Sequence, residues 1–287
     1  MSDERARDAH FQHAAKALEA VLSVPAEQPR ALSWVPRKEV LMLALRSGRV
    51  LAVEPSFGVR TLFDGPAEPV YLANWGDGVA VLAADGHLVL RDGAGAISEI
   101  DTGLRGESGL RVCEQQIAVI GEGAEGRRVR LYTGATLVQE VNVPDGAALG
   151  CREGAPVLAR SVAEGLSVVP LGAELPEGPA TNHMLRFTPG GWVVGVVEGG
   201  ATLWKEGQPQ TIRLLDTAAA ALCHDGRTLA LGTRGGVVAL ADVFAPPAQR
   251  GRPPRVEAHG AAVTALSFST RGRWLATVGD NCRLWAY

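Results

Sequence analysis

Six histidines, four cysteines and one glycine-rich run are the places where this sequence could carry chemistry. The run Gly121-Glu122-Gly123-Ala124-Glu125-Gly126 matches the spacing of a dinucleotide-binding loop, which uses glycines to bring backbone N–H groups against a pyrophosphate at a helix N-terminus. The context is wrong for that. A strand-like stretch, Ile117–Ile120, precedes it, but a second strand-like stretch, Arg128–Tyr132, follows where a helix is required. Glu122 and Glu125 would also repel the phosphates, so the run reads as a loop between two strands. His10 and His13 could share one helix face, yet no third ligand accompanies them as a metal site requires. His87, His183, His224 and His259 stand alone in sequence. No His-x-His, His-Glu-x-x-His or Gly-x-Ser-x-Gly pattern occurs, and no Cys-His cluster has zinc spacing. The expectation is a chain with no catalytic residues, no metal and no cofactor.

Cys113, Cys151, Cys223 and Cys282 form no Cys-x-x-Cys pair, which points to a reducing cytoplasm and not to a disulfide framework. The first three share one place in a repeated pattern, where a small side chain suits a turn. Formal net charge is −3 and the pI about 6.1, so nothing global attracts nucleic acid or an anionic membrane. No apolar run approaches the roughly 18 residues of a membrane span, and the charged start, Met1–Lys16, lacks the apolar core of a secretory signal. The expected partners are proteins or peptides, with no nucleic acid and no membrane. The dominance of arginine over lysine has the imprint of a GC-rich, bacterial genome.

These residues must be positioned by short strands. Charged residues are 21%, aromatics 5%, and 35 of 287 residues are glycine; that proportion is well above the usual roughly 7% and implies many tight turns. Apolar runs such as Val79–Ala83 and Trp192–Val196 alternate with these turns. Candidate first strands start near residues 31, 70, 110, 148, 183, 218 and 262, a period of about 38 residues, on the short side of a propeller blade. The last unit is the clearest: His259-Gly-Ala-Ala-Val-Thr-Ala-Leu-Ser-Phe268-Ser-Thr-Arg-Gly272, then Leu275-Ala-Thr277, Asp280-Asn281 and Leu284-Trp285. Weaker copies of its first turn recur as Phe187-Thr-Pro-Gly-Gly191, Leu222-Cys-His-Asp-Gly226, Gly150-Cys-Arg-Glu-Gly154 and Asn74-Trp-Gly-Asp-Gly78. Copies of its third-strand ending recur as Leu203-Trp204 and Leu131-Tyr132.

This pattern resembles the WD40-repeat family. The resemblance implies an all-β, seven-bladed β-propeller over residues 29–287, built of four-stranded sheets that bury both faces only by stacking around an axis. It also implies that His259, Thr277, Asp280 and Trp285 form a hydrogen-bonded network inside the last blade, with a stabilising role. The last unit stops after its third strand. The β-like run Ala20–Pro25 is therefore expected to close the ring as the outer strand of that blade, within an N-terminal segment of residues 1–28. Residues 3–19 read as a short helix, with Phe11, Ala14, Ala15, Leu18 and Leu22 at helical spacing; the helix packs on the ring or offers an amphipathic face to a partner.

The function implied is a non-catalytic platform for protein–protein interaction. By family analogy Arg46, Arg127, Arg128, Arg234, Asp280 and Asn281 fall near one rim, where guanidinium forks suit carboxylates. The insert Ala245–Arg255, with Arg250 and Arg252 among proline pairs, would present a second, extended surface on the opposite face. Two rivals stand beside this reading. One is a propeller enzyme with a central-channel site, for which Glu107, Asp145 and His183 are the nearest ionisable groups to first-strand starts. The other is an obligate subunit of a bacterial regulatory or defence complex.

Overall fold

The structure is a computed structural model that describes residues 28–286, apart from 36–37, 55–57, 163–164, 177–183, 189–191, 198, 206–207, 246–252 and 254. The predicted helix 3–19, the predicted closing strand 20–25 and most of the proline-rich insert, including Arg250 and Arg252, lie outside the described residues.

The described residues form seven antiparallel sheets in sequence order. Blade 1 is β1 (Pro29–Val35), β2 (Val40–Leu45), β3 (Arg49–Val53) and β4 (Val59–Asp64). Blade 2 is β5 (Pro69–Trp75), β6 (Gly78–Ala83), β7 (His87–Arg91) and β8 (Ile97–Asp101). Blade 3 is β9 (Arg105–Cys113), β10 (Gln116–Gly123), β11 (Gly126–Thr133) and β12 (Thr136–Asn142). Blade 4 has three strands, β13 (Ala148–Arg152), β14 (Ala155–Val162) and β15 (Gly165–Pro170). Blade 5 is β16 (Met184–Phe187), β17 (Val193–Val197), β18 (Gly200–Lys205) and β19 (Gln208–Arg213). Blade 6 is β20 (Thr217–Leu222), β21 (Thr228–Thr233), β22 (Val237–Asp242) and β23 (Arg255–Glu257). Blade 7 has three strands, β24 (Ala265–Phe268), β25 (Trp274–Val278) and β26 (Cys282–Ala286). The chain is a seven-bladed β-propeller, all-β among the described residues.

The second strand of each blade explains why stacking is obligatory. In β2, Val40-Leu-Met-Leu-Ala-Leu45, five of six residues are buried, because neighbouring blades cover both faces. The outer strand β12 is exposed almost throughout. The buried side chains therefore belong to seams between blades. Met42, Val50 and Phe63 of blade 1 pack on Leu72 and Val81 of blade 2. Leu82 and Leu88 pack on Leu110, Ile117 and Val119, and Ile120 and Val129 pack on Leu149 and Leu158. Between blades 4 and 5, Ala159, Val193 and Trp204 are the buried residues of the cluster among those described. Leu203 and Ile212 meet Leu222 and Leu229 of blade 6. One further cluster joins Ala230 and Val238 to Leu266 and Leu275 of blade 7, and these to Leu41 and Leu43 of blade 1. The ring is thereby closed by packing.

Specific contacts line the inner rim at the end where first and second strands turn, called here the lower end. Trp34 Nε1 donates to the Ser267 carbonyl at 3.1 Å, joining blade 1 to blade 7. Asn74 Nδ2 donates to the Trp34 carbonyl at 2.5 Å and to Ser33 Oγ at 3.1 Å. Trp75 Nε1 donates to the Gln115 carbonyl of blade 3 at 3.3 Å. A disulfide links Cys113 of blade 3 to Cys151 of blade 4. Phe187 of blade 5 then lies against Gly150, Trp192 against Gly226 of blade 6, and Cys223 against Gly272 of blade 7.

That disulfide corrects the expectation of turn cysteines without a disulfide framework. Cys113 and Cys151 end up on first strands of adjacent blades, 38 residues apart, with Cα atoms 5.6 Å apart. Stacking sets equivalent positions side by side, so the relevant spacing is one blade and not Cys-x-x-Cys. Cys223 and Cys282 are free thiols and buried; burial pushes Cys282 up to about 12, which removes it from thiolate chemistry.

Candidate functional site

The upper end of the ring carries the turns between second and third strands together with the connectors that lead from one blade to the next, as strand alternation requires. Its backbone is pinned. In blade 1 the Arg46 N–H donates to the Gln28 carbonyl and the Arg46 carbonyl accepts the Glu68 N–H, at 2.9 and 3.0 Å. The Glu68 carbonyl then accepts the Ala84 N–H of blade 2 at 3.1 Å. Blade 6 repeats the device: the Arg234 N–H donates to the Asp216 carbonyl at 2.9 Å. Glu68 and Asp216 both hold a left-handed backbone, φ 52 and 60°, to make this link.

In blade 7 the structure brings His259, Thr277, Asp280 and Trp285 together. Trp285 Nε1 donates to Thr277 Oγ1 at 2.9 Å, Thr277 Oγ1 lies 2.8 Å from His259 Nε2, and His259 Nδ1 lies 2.9 Å from Asp280 Oδ1. The second oxygen, Asp280 Oδ2, accepts the Gly260 N–H at 3.3 Å. Burial holds His259 below the ordinary imidazole range, against the opposite pull of Asp280. Burial pushes the Asp280 carboxyl up, but the hydrogen bonds from His259 and the Gly260 N–H outweigh it, and the net shift is downward. Asn281 holds this turn: its carbonyl accepts the Gly279 N–H at 2.9 Å, and its Oδ1 faces Arg283 Nε at 3.4 Å.

Arg127 and Arg128 are engaged within blade 3. Their side chains are only 13% and 15% exposed, which leaves little of either fork to offer a partner. Arg127 pairs with Glu122 at 3.0 Å; Arg128 pairs with both Glu125 and Glu140. Arg130 joins Glu140 at 2.5 Å and donates to the Thr102 carbonyl of the preceding connector. Hydrogen bonds from Arg130 and then Arg128 hold Glu140 below the usual carboxylate range. The glycine-rich run is a tight hairpin, with only Ala124 and Glu125 between β10 and β11.

Arg46 is more open, although its Nε meets Glu68 Oε1 at 2.7 Å and Arg30 reaches the same carboxylate at 3.5 Å. Arg234 is exposed. Beside its backbone partner Asp216 stands Leu215, 80% exposed; sequence reasoning missed it because a leucine before a strand reads as core. Asp145 is exposed in the connector before blade 4, and His183 lies outside the described residues. No cluster of three or more His, Cys, Asp or Glu side chains arranged to hold a metal ion occurs among the described residues. No helix among them is long and apolar enough to cross a membrane.

No protein family model matches the sequence, and no curated protein does. Solved structures do match in fold. A chain of the mitotic checkpoint complex crystal structure aligns with TM-score 0.70 at 12% identity, over 94% of this chain and 91% of that one. The computationally designed Ika8 protein aligns with TM-score 0.65 at 14% identity, over 93% and 98%. At such identities the likeness carries the propeller architecture alone.

Proposed function

We propose that the ring is a non-catalytic platform for protein–protein interaction and that its upper end receives the partner. The observation that carries this is Leu215, a large apolar side chain held 80% exposed beside Asp216 and Arg234. The Arg234 N–H to Asp216 carbonyl bond fixes the backbone that carries both side chains, so binding must order the side chains but not the main chain. Arg46, Asp280 and Asn281 extend the same rim toward blades 1 and 7. Arg127 and Arg128 contribute through their lattice with Glu122, Glu125 and Glu140, as a fixed outline. The alignment with a chain from a multiprotein checkpoint complex is consistent with such a role.

The test is affinity capture with the full chain, the Leu215→Ala/Arg234→Glu double variant, and a lower-end control, Phe244→Ala. Selective loss of a partner in the double variant is expected. Equal capture by all three chains would overturn the reading.

A further inference from the structure

Among the described residues, Arg160 is, with Glu39, one of two charged side chains buried to 8% exposure with an unpartnered polar atom. It stands on β14, opposite Ser167 of β15, and is 8% exposed. Its Nε is buried with no hydrogen-bond partner. Its Nη1 reaches the Pro176 carbonyl at 3.4 Å, a long contact to a neutral group. Arg128 and Arg130, by contrast, are each matched to the Glu140 carboxylate.

A buried lysine could shed its proton, but a guanidinium stays charged in proteins. Removing that charge from water is costly unless an anion answers it. Strand alternation puts Arg160 on the same face of β14 as Leu158, which packs with Ile120 and Val129 of blade 3. Two residues farther on, β14 ends at the upper end of the ring. Pro176, whose carbonyl Arg160 touches, is itself exposed. The guanidinium thus sits in the seam between blades 3 and 4, close to the surface that the platform reading assigns to the partner.

We infer that Arg160 is the floor of a carboxylate-binding subsite at the upper end of this seam, filled by an acidic side chain of the partner protein. The choice of a carboxylate follows from the planar fork, which donates two parallel N–H bonds to two oxygens in its own plane. The subsite rests on the platform reading for its partner but not for its chemistry. Among the described residues Glu174, exposed and two residues from Pro176, is the internal rival.

The experiment is thermal melting of the full chain at pH 7.5 and constant ionic strength, with chloride exchanged for acetate. The chains compared are the parent, Arg160→Met, Arg160→Lys and Glu174→Gln. Acetate is expected to raise the parent's melting temperature by at least about 1 °C more than that of either Arg160 variant; the general salt effect, common to all chains, cancels. In chloride, Arg160→Met is expected to melt at or above the parent. If Arg160→Met fails to fold, Arg160→Lys decides the matter, since it keeps the charge and loses the fork. Equal acetate shifts in parent and variants would overturn the subsite. So would a Glu174→Gln chain that melts below the parent in chloride, because the charge would then be answered from within. An acetate shift confined to the parent, with partner capture unchanged in Arg160→Lys, would keep the subsite and overturn the partner side chain as its source.

Discussion

The indole N–H of Trp285 donates to the hydroxyl of Thr277 at 2.9 Å, and the same hydroxyl lies 2.8 Å from His259 Nε2. At the other ring nitrogen the ionised Asp280 carboxylate, which can only accept, faces Nδ1 at 2.9 Å, so in the neutral imidazole the proton sits on Nδ1. Nε2 is then bare and accepts the Thr277 hydroxyl hydrogen, while the Thr277 oxygen accepts from Trp285. A neutral imidazole satisfies every member of the chain. The last strand, the blade's second strand and the connector from blade 6 are thereby tied together.

Breaking this chain at its middle should cost most. Thr277→Val leaves both the Trp285 N–H and His259 Nε2 without partners in a fully buried place, and should destabilise the chain by about 2–4 kcal/mol. His259→Ala should cost about 1–3 kcal/mol and Trp285→Phe about 1 kcal/mol. Urea unfolding of the three variants checks the order. A His259→Ala chain that unfolds with the parent would show the network to be energetically idle.

The same network sets a pH dependence. His259 titrates below its ordinary value in the folded chain, so in mildly acid solution the unfolded chain binds more protons than the folded one. The stability this neutral imidazole contributes is full above the unfolded value near 6.5, and is lost as pH falls from there toward the folded value. Asp280, also lowered, adds a second loss below about 3.8. Melting temperature should therefore fall between pH 7.5 and 5.5, and fall less in His259→Gln. Parallel profiles for the two chains would refute the assignment.

How much of this was legible in the sequence varies around the ring for a physical reason. Blades 6 and 7 share a wide lower turn in which the residue after the first strand accepts and donates across the loop, as Cys223 does with Thr228 and Gly226, and Ser269 with Trp274 and Gly272; in blade 5 the Thr188 N–H donates to the Trp192 carbonyl in the same way. That turn demands a small residue and a glycine, and it leaves a motif. Blades 2, 3 and 4 turn in two residues, Gly76-Asp77, Glu114-Gln115 and Glu153-Gly154, with left-handed Glu114 and Glu153. These turns leave only strand spacing as a signal. The pairing of Arg130 with Glu140 across β11 and β12 was hidden because arginines are visible in a sequence and register is not. The Cys113–Cys151 bond was hidden because its spacing is the repeat itself.

The disulfide ties blade 4, which has three strands among the described residues, to blade 3 across the seam that Ile120, Val129, Leu149 and Leu158 pack. Closing a loop of 38 residues removes chain entropy equivalent to about 4 kcal/mol in the loop-closure picture. Dithiol reduction, or Cys113→Ser/Cys151→Ser, should lower the urea midpoint, while Cys282→Ser leaves the effect of reduction intact. If reduction shifts the parent and the double serine variant equally, the bond is not the cause.

The last blade makes a prediction about residues 1–28. Among the described residues β26 is the outer strand of blade 7, yet Leu284 and Trp285 on it are buried to 5% and 4% exposure. A third strand so well covered is normal in this ring only where a fourth strand lies outside it, as β4 lies outside β3. Deleting residues 1–28 should therefore abolish cooperative folding, read as loss of a sharp melting transition. A soluble truncated chain that melts with the parent would remove the need for a closing strand.

Two glycine substitutions separate backbone strain from crowding. Gly134 has φ 57° and open space around a would-be Cβ; Gly236 has φ 82° and would place a Cβ 2.0 Å from the His259 carbonyl. Gly134→Ala should cost about 1–2 kcal/mol, the strain of a left-handed alanine. Gly236→Ala carries that strain and must also push away the connector, whose Ala258 and His259 N–H groups both donate to the Gly236 carbonyl at 3.0 Å. His259 would be displaced with it, so the second substitution should flatten the acid dependence of melting as well as lower stability further. Equal costs at the two sites, with the pH profile intact, would mean that the connector yields freely and that the upper end is less rigid than a binding platform requires.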